Sequence, residues 1–113
     1  MTGLPETAAI RQLSAPEVKA LIDSGAPFQF ADVRTDEERA IATIGDARLL
    51  DQAYHDELLR MDRETPIVFH CHHGIRSQGA AEYFQQHGFR NLSNLVGGIE
   101  AWSRLVDPSV PRY

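Results

Sequence analysis

The stretch Cys71-His72-His73-Gly74-Ile75-Arg76-Ser77 puts the chain's one cysteine at the head of a loop that also carries a glycine, an arginine and a serine. A thiol attacks well only as thiolate, and its pKa falls when backbone N–H groups, a helix N-terminus or a cation surround it. This loop can supply all three. Gly74 permits the sharp path that turns successive amides inward, the helix expected after it aims its positive end at the same point, and Arg76 adds a fixed charge. The expectation is an anion cradle around sulfur, with Cys71 as nucleophile and His72, His73, Gly74, Ile75, Arg76 and Ser77 as its substrate-contacting wall. A lone cysteine at a strand end is ordinarily a core residue. A core cysteine, however, has no need of Gly three residues on, Arg five on and Ser six on, and those flanks favour chemistry.

The elements around the loop must hold it in place. Ile67-Val68-Phe69, opened by Pro66, is a continuous apolar run of the kind a strand shows when both faces are covered. It leads straight into Cys71, and a helix is expected from about Ile75 to His87, closed by Gly88. Upstream, Ser14-Ala15-Pro16-Glu17 is a capping box that starts a helix ending at Gly25, with Val18, Leu21 and Ile22 as its buried stripe. Phe28 to Val33 reads as a strand, and Thr35-Asp36-Glu37-Glu38 as a second capping box that opens a short helix. Ala47 to Leu50 is a weaker strand, and Asp51 caps a helix with Tyr54, Leu58 and Met61 inside. Leu92 to Val96 reads as the last strand, Gly97-Gly98 as a turn, and Ile99, Trp102 and Leu105 as the inner face of the closing helix. The segment from Asp107 to Tyr113 holds Pro108 and Pro111, cannot extend that helix, and is expected to trail along the surface. Strands alternating with helices imply an α/β fold with a mainly parallel sheet and a ligand site beyond the C-terminal strand ends.

At 113 residues the chain fits one domain, with a core from about residue 9 to 106 between a short flexible N-terminus and the proline-containing tail. A composition of 42% hydrophobic and 24% charged residues is that of an ordinary globular protein. The net charge of -5 gives no general attraction to nucleic acid or anionic lipid. One cysteine excludes an internal disulfide, and the first residues carry neither a basic start nor an apolar stretch suited to a secretion signal, so a reducing cytoplasm is expected. No apolar run approaches the ~20 residues that span a bilayer.

Cys71-x-x-Gly74-x-Arg76-Ser77 after an apolar strand resembles the active loop of rhodanese-like sulfurtransferases. Asp32-Val33-Arg34 with Glu37-Glu38 is similar to that family's Asp-Val-Arg segment, and Val96-Gly97-Gly98-Ile99-Glu100-Ala101-Trp102 to its Gly-Gly turn and following helix. The likeness runs from about Val18 to Trp102. It implies a five-stranded sheet with helices on both faces. It also implies that Cys71 takes a sulfur atom from thiosulfate or a persulfide, holds it as a persulfide, and yields it to a thiol, cyanide or a sulfur-carrier protein, with no cofactor. Arg76 would anchor the loop or the departing anion. Asp32 and Arg34 read as mainly structural, with Arg34 kept as a candidate substrate contact. The chain departs from the family at Arg39 and at Ala42-Thr43-Ile44-Gly45-Asp46-Ala47, where an aromatic and a Gly-His-Ile-Pro-Gly-Ala segment are usual.

A cysteine phosphatase or arsenate reductase is the enzymatic alternative, but phosphatase loops set Cys and Arg six apart, whereas Cys71 and Arg76 are five apart. A metal site among His70, Cys71, His72 and His73 is disfavoured because adjacent residues point apart and closed sites need spaced ligands. His70 is expected simply to end the strand. The non-enzymatic alternative is a partner-dependent sulfur-delivery module. The ending Val106-Asp107-Pro108-Ser109-Val110-Pro111-Arg112-Tyr113 resembles that of rhodanese-like domains attached to adenylylating proteins. Neutral histidines at the loop mouth offer an anionic donor less charge than Lys or Arg would, which predicts that thiosulfate is a poor donor.

Overall fold

In a computed structural model that describes residues 8–113, five parallel strands form one sheet between two layers of helices. The expected flexible N-terminal stretch falls within residues 1–7 and lies outside the described residues. The elements run β1 (Arg11–Leu13), α1 (Ala15–Asp23), β2 (Gln29–Asp32), α2 (Asp36–Ile41), β3 (Arg48–Leu49), α3 (Gln52–Leu59), β4 (Ile67–His70), α4 (Ile75–Gln86), β5 (Leu92–Leu95) and α5 (Gly98–Leu105). The strand order β1-β5-β4-β2-β3 puts β4 in the middle, with neighbours on both sides. All of β4 is buried, as its unbroken apolar run requires.

Successive β4 side chains point to opposite faces. Val68 joins Phe30, Leu95, Ile99 and Trp102 under α1 and α5. Ile67 and Phe69 join Tyr54, Leu58, Phe84 and Phe89 under α3 and α4. The central strand thus stitches two half-cores together, and its C-terminal end is the most firmly held point from which to present Cys71.

Both capping boxes form. Ser14 Oγ accepts from the Glu17 amide and Thr35 Oγ1 from the Glu38 amide, while each glutamate reaches back to its cap. Asp51 caps α3 through the Tyr54 amide. Two expected apolar stripes are narrower than their spacing implied. Ile22 is 37% exposed and Leu105 is 57% exposed, each in the last turn of its helix. Met61 falls beyond α3 and packs only at the margin of its cluster. β1 carries no readable strand signal, since it is a short edge strand whose residues are largely exposed. It pairs with β5 from Arg11↔Ser93 to Leu13↔Leu95.

The atypical segment near residues 39–47 is held from within. Asp32, fully buried, accepts from Arg34 through both carboxylate oxygens and from Arg39 at 2.7 Å. Arg39 also donates to the Ala47 carbonyl and Arg34 to the Ala42 carbonyl, so two guanidinium groups clamp the bend that carries Ala42, Ile44 and Ala47 into the core. A buried carboxylate of this kind needs paired partners, and it has them. No helix among the described residues is long and apolar enough to cross a membrane.

Candidate active site

The chain leaves β4 at His70 and within four residues enters α4, so Cys71 sits where a parallel strand delivers it to a helix N-terminus. Gly74 has φ 98°, which a residue with a side chain adopts only with strain, and a Cβ there would press at 3.2 Å on the Gly97 amide nitrogen and the Leu95 carbonyl. This conformation brings the Gly74 amide to 3.1 Å from Cys71 Sγ. The Ser77 amide, in the first turn of α4, lies 3.4 Å from the same sulfur, and Ser77 Oγ lies 3.3 Å away.

A second helix fixes the back of the loop. The amides of Ile99 and Glu100, in the first turn of α5, donate to the carbonyls of Cys71 and His72. With its carbonyls drawn to α5, the loop turns amides toward sulfur. Gly98, at φ 59°, is what lets α5 approach, because a Cβ there would collide with both of those carbonyl oxygens. Gly97-Gly98 is therefore part of the sulfur site's support as well as a turn.

Cys71 is 1% exposed, and burial alone would push its thiol pKa up. The Ser77 hydroxyl and the amides of Ser77, Gly74 and His73 together outweigh that, and the thiol lies below its ordinary value. Ser77 Oγ also donates to Asn94 Oδ1 at 2.6 Å. Asn94 Nδ2 in turn donates to Gln12 Oε1 and to the Gly74 carbonyl, which fixes the amide's orientation. Sulfur is thus backed by a polar chain reaching from β4 through β5 to the edge strand.

The other expected wall residues divide. Ile75 projects outward, 82% exposed. His72 and His73 stack face to face with centroids 4.0 Å apart at the loop's outer rim. Arg76 turns its guanidinium to a carboxylate of α2 while its charge still acts on Cys71. The pair with Glu38 is two-pronged, at 2.7 and 3.0 Å, and the guanidinium draws the Glu38 carboxyl pKa down to about 2. All of Arg34's hydrogen bonds go to Asp32, Glu38, Ala42 and Tyr113, and its side chain is fully buried in that pairing. His70 ends β4 as expected, buried between Phe30 and Asp32, and burial holds it at about 4, hence neutral near pH 7.

The tail is not free on the surface. Ser103 Oγ donates to the Val110 carbonyl, Arg112 pairs with Glu100 at 2.6 Å, and the Tyr113 ring stacks on His72 at 4.0 Å. Proline stops the helix there but does not stop the segment from folding back on it. Asn94, Gln12, Glu38 and Tyr113 are the site neighbours that sequence reasoning missed. Glu38 is legible only as part of a capping box and Tyr113 only as the end of the tail, while Asn94 and Gln12 lie in no motif. No group of three or more His, Cys, Asp or Glu side chains able to hold a metal occurs among the described residues.

Known proteins resemble this chain in sequence and fold. The family model described as "Rhodanese-like domain" matches residues 14–105. Thiosulfate sulfurtransferase GlpE of Pseudomonas aeruginosa is 39% identical over 87% of this chain and 88% of its own length. Adenylyltransferase and sulfurtransferase MOCS3-2 of Zea mays is 31% identical over 97% of this chain, which spans 24% of that larger protein. A rhodanese-like domain protein from Staphylococcus aureus superposes with a TM-score of 0.73 at 28% identity, covering 92% of this chain and 99% of that one. In sequence and in architecture alike, the chain belongs to the rhodanese-like domain family.

Proposed function

We propose that the protein is a sulfurtransferase that moves a sulfane sulfur through a persulfide on Cys71. The observation that carries this reading is the convergence of two amide donors, those of Gly74 and Ser77, on one buried sulfur that also lies 3.3 Å from the Ser77 hydroxyl. Such pre-organised donors stabilise an anion where it forms. The thiolate attacks the outer sulfur of thiosulfate, the S–S bond of the donor breaks with its electron pair, and sulfite leaves. The product, Cys71–S–S⁻, places its charge one atom further out in the same field of amides. An incoming thiolate or cyanide then attacks that outer sulfur, and Cys71 departs as thiolate, ready for another cycle. The absence of a second cysteine suits this role, because a resolving thiol would discharge the persulfide as an internal disulfide.

Phosphatase chemistry is supported less well. It requires a guanidinium turned into the loop to meet a tetrahedral dianion, and Arg76 is turned out to Glu38. Small-molecule sulfur donors such as thiosulfate are suggested by the match to thiosulfate sulfurtransferase relatives. A sulfur-carrier protein as acceptor is suggested by the match to the adenylyltransferase and sulfurtransferase relatives. Incubation with thiosulfate is expected to raise the intact mass by one sulfur, ~32 Da; cyanide should restore it, and Cys71→Ser should never gain it. A persulfide that passes to a carrier protein but resists cyanide would instead favour the partner-dependent delivery module. With histidines at the rim, His73→Lys is expected to raise thiosulfate turnover at pH 8, and an unchanged rate would remove the charge argument.

A further inference from the structure

We infer that Tyr113 is a specificity-determining residue that roofs the Cys71 loop and sets how large a sulfur acceptor can reach it. The inference rests on the sulfurtransferase reading above.

Tyr113 touches the loop at His72 and is tied to its other side through Glu38. Its ring stacks on His72, one residue past the sulfur, with centroids 4.0 Å apart and planes 17° from parallel, and His73 continues the pile on the far side of His72. Its hydroxyl donates to Glu38 Oε2 at 2.8 Å, and Glu38 grips Arg76, five residues past the sulfur. Arg34 donates to the same hydroxyl at 2.9 Å. A side chain joined directly to one rim of a loop and, through a carboxylate, to the other lies across its mouth. In the loop so bridged, Cys71 is 1% exposed.

The hold is of the releasable kind. Arg112 pairs with Glu100 in the open, with the arginine side chain 61% exposed, and the Val110 carbonyl accepts one hydroxyl bond from Ser103. Exposed ion pairs of this sort are weak and yield to a competing partner. A slender nucleophile can approach with the roof in place, whereas a branched thiol must first displace the ring from His72.

The test loads the full chain with sulfur from thiosulfate and follows single-turnover discharge by two acceptors with the same attacking atom, 2-mercaptoethanol and glutathione, at equal thiolate concentration. In each case the acceptor thiolate bonds to the outer sulfur of Cys71–S–S⁻ and Cys71 leaves as thiolate. The ratio of the glutathione to the 2-mercaptoethanol rate is expected to rise about tenfold in Tyr113→Ala, the change produced by losing one aromatic stack and its hydrogen bonds. Tyr113→Phe, which keeps the stack, is expected to stay within about threefold of the original ratio. Arg112→Ala, at an exposed position that folding tolerates, should shift the ratio the same way by about twofold. A general loosening of the fold would also relieve discrimination and is told apart by its lowered denaturant midpoint, which Tyr113→Ala is expected to leave near that of the unaltered protein. Flat ratios in Tyr113→Ala and Arg112→Ala overturn the inference, and should Tyr113→Ala not fold, Arg112→Ala decides alone. If the unaltered protein never gains the sulfur mass, the parent reading fails at the loading step, before any ratio is measured.

Discussion

Two classes of helix start divide this molecule. α1, α2 and α3 begin at Ser14, Thr35 and Asp51, whose side chains take up amides of the first turn. α4 and α5 begin at Gly74 and Gly97, both at positive φ and without a side-chain cap. The uncapped amides are not wasted. Those at α4 go to the Cys71 sulfur, and those of α5 go to the carbonyls of Cys71 and His72. Where the helix serves only the fold, a side chain closes its end; where it serves the site, glycine leaves the end open and the loop closes it instead. Free amides at a helix start therefore mark the chemistry better than the cysteine alone does.

The sharpest way to break that contrast is at Gly98. Gly98→Ala drives a Cβ into the Cys71 and His72 carbonyls at a φ of 59°, and is expected to cost about 3 kcal/mol of stability and at least ~100-fold in persulfide formation. Denaturant unfolding and mass spectrometry measure the two, and a near-native Gly98→Ala would mean that α5 does not organise the loop. Ser77→Ala removes one donor to sulfur while sparing the glycines. With the Cys71 pKa held below the ordinary thiol value, the native protein keeps a thiolate in a pH window where the unfolded chain is protonated. The midpoint of the pH dependence of iodoacetamide alkylation should therefore lie below that of an ordinary thiol, and Ser77→Ala should move it upward, slowing alkylation at pH 7 by about tenfold. Ser14→Ala acts on the other class of helix start, and should cost about 1 kcal/mol without moving that midpoint. A shift of the midpoint in Ser14→Ala would erase the distinction between the classes.

The smallest effect belongs to Glu38, which joins a capped helix to the open site. Arg76 and Tyr113 hold its carboxyl down to about 2, so the tie is complete above the ordinary carboxylate range and is lost as pH falls toward that value. Glu38→Gln should weaken stability at pH 7 by roughly 0.5–1 kcal/mol, and the difference between the two proteins should vanish near pH 2.

Much of this was written locally. The Ser14 and Thr35 capping boxes, the apolar Ile67-Val68-Phe69 and the spacing of Gly74, Arg76 and Ser77 from Cys71 each carry their meaning within a few residues, which is the range over which sequence pattern speaks. What escaped was long-range. Asn94 reaches Ser77 across adjacent strands, and nothing beside it in the chain announces that contact. Arg76 reads as a charge for the sulfur, and nothing beside it announces that α2 brings Glu38 against it. The two prolines of the tail were correctly read as ending a helix, but the proline rule is silent on where the freed segment goes next, and Tyr113 went to His72.

Ser77 has a single hydroxyl hydrogen and two claimants for it. While Cys71 keeps its own hydrogen, the S–H can point to Ser77 Oγ and Ser77 can serve Asn94, so every member of the row is content. Ionisation reverses the direction: the hydroxyl must swing to the sulfur, and Asn94 Oδ1 is left without its donor. Charging the sulfur and unsettling the amide are then one event, and the Asn94 side chain becomes a reporter, readable by its NMR shift, of whether the sulfur next door is armed.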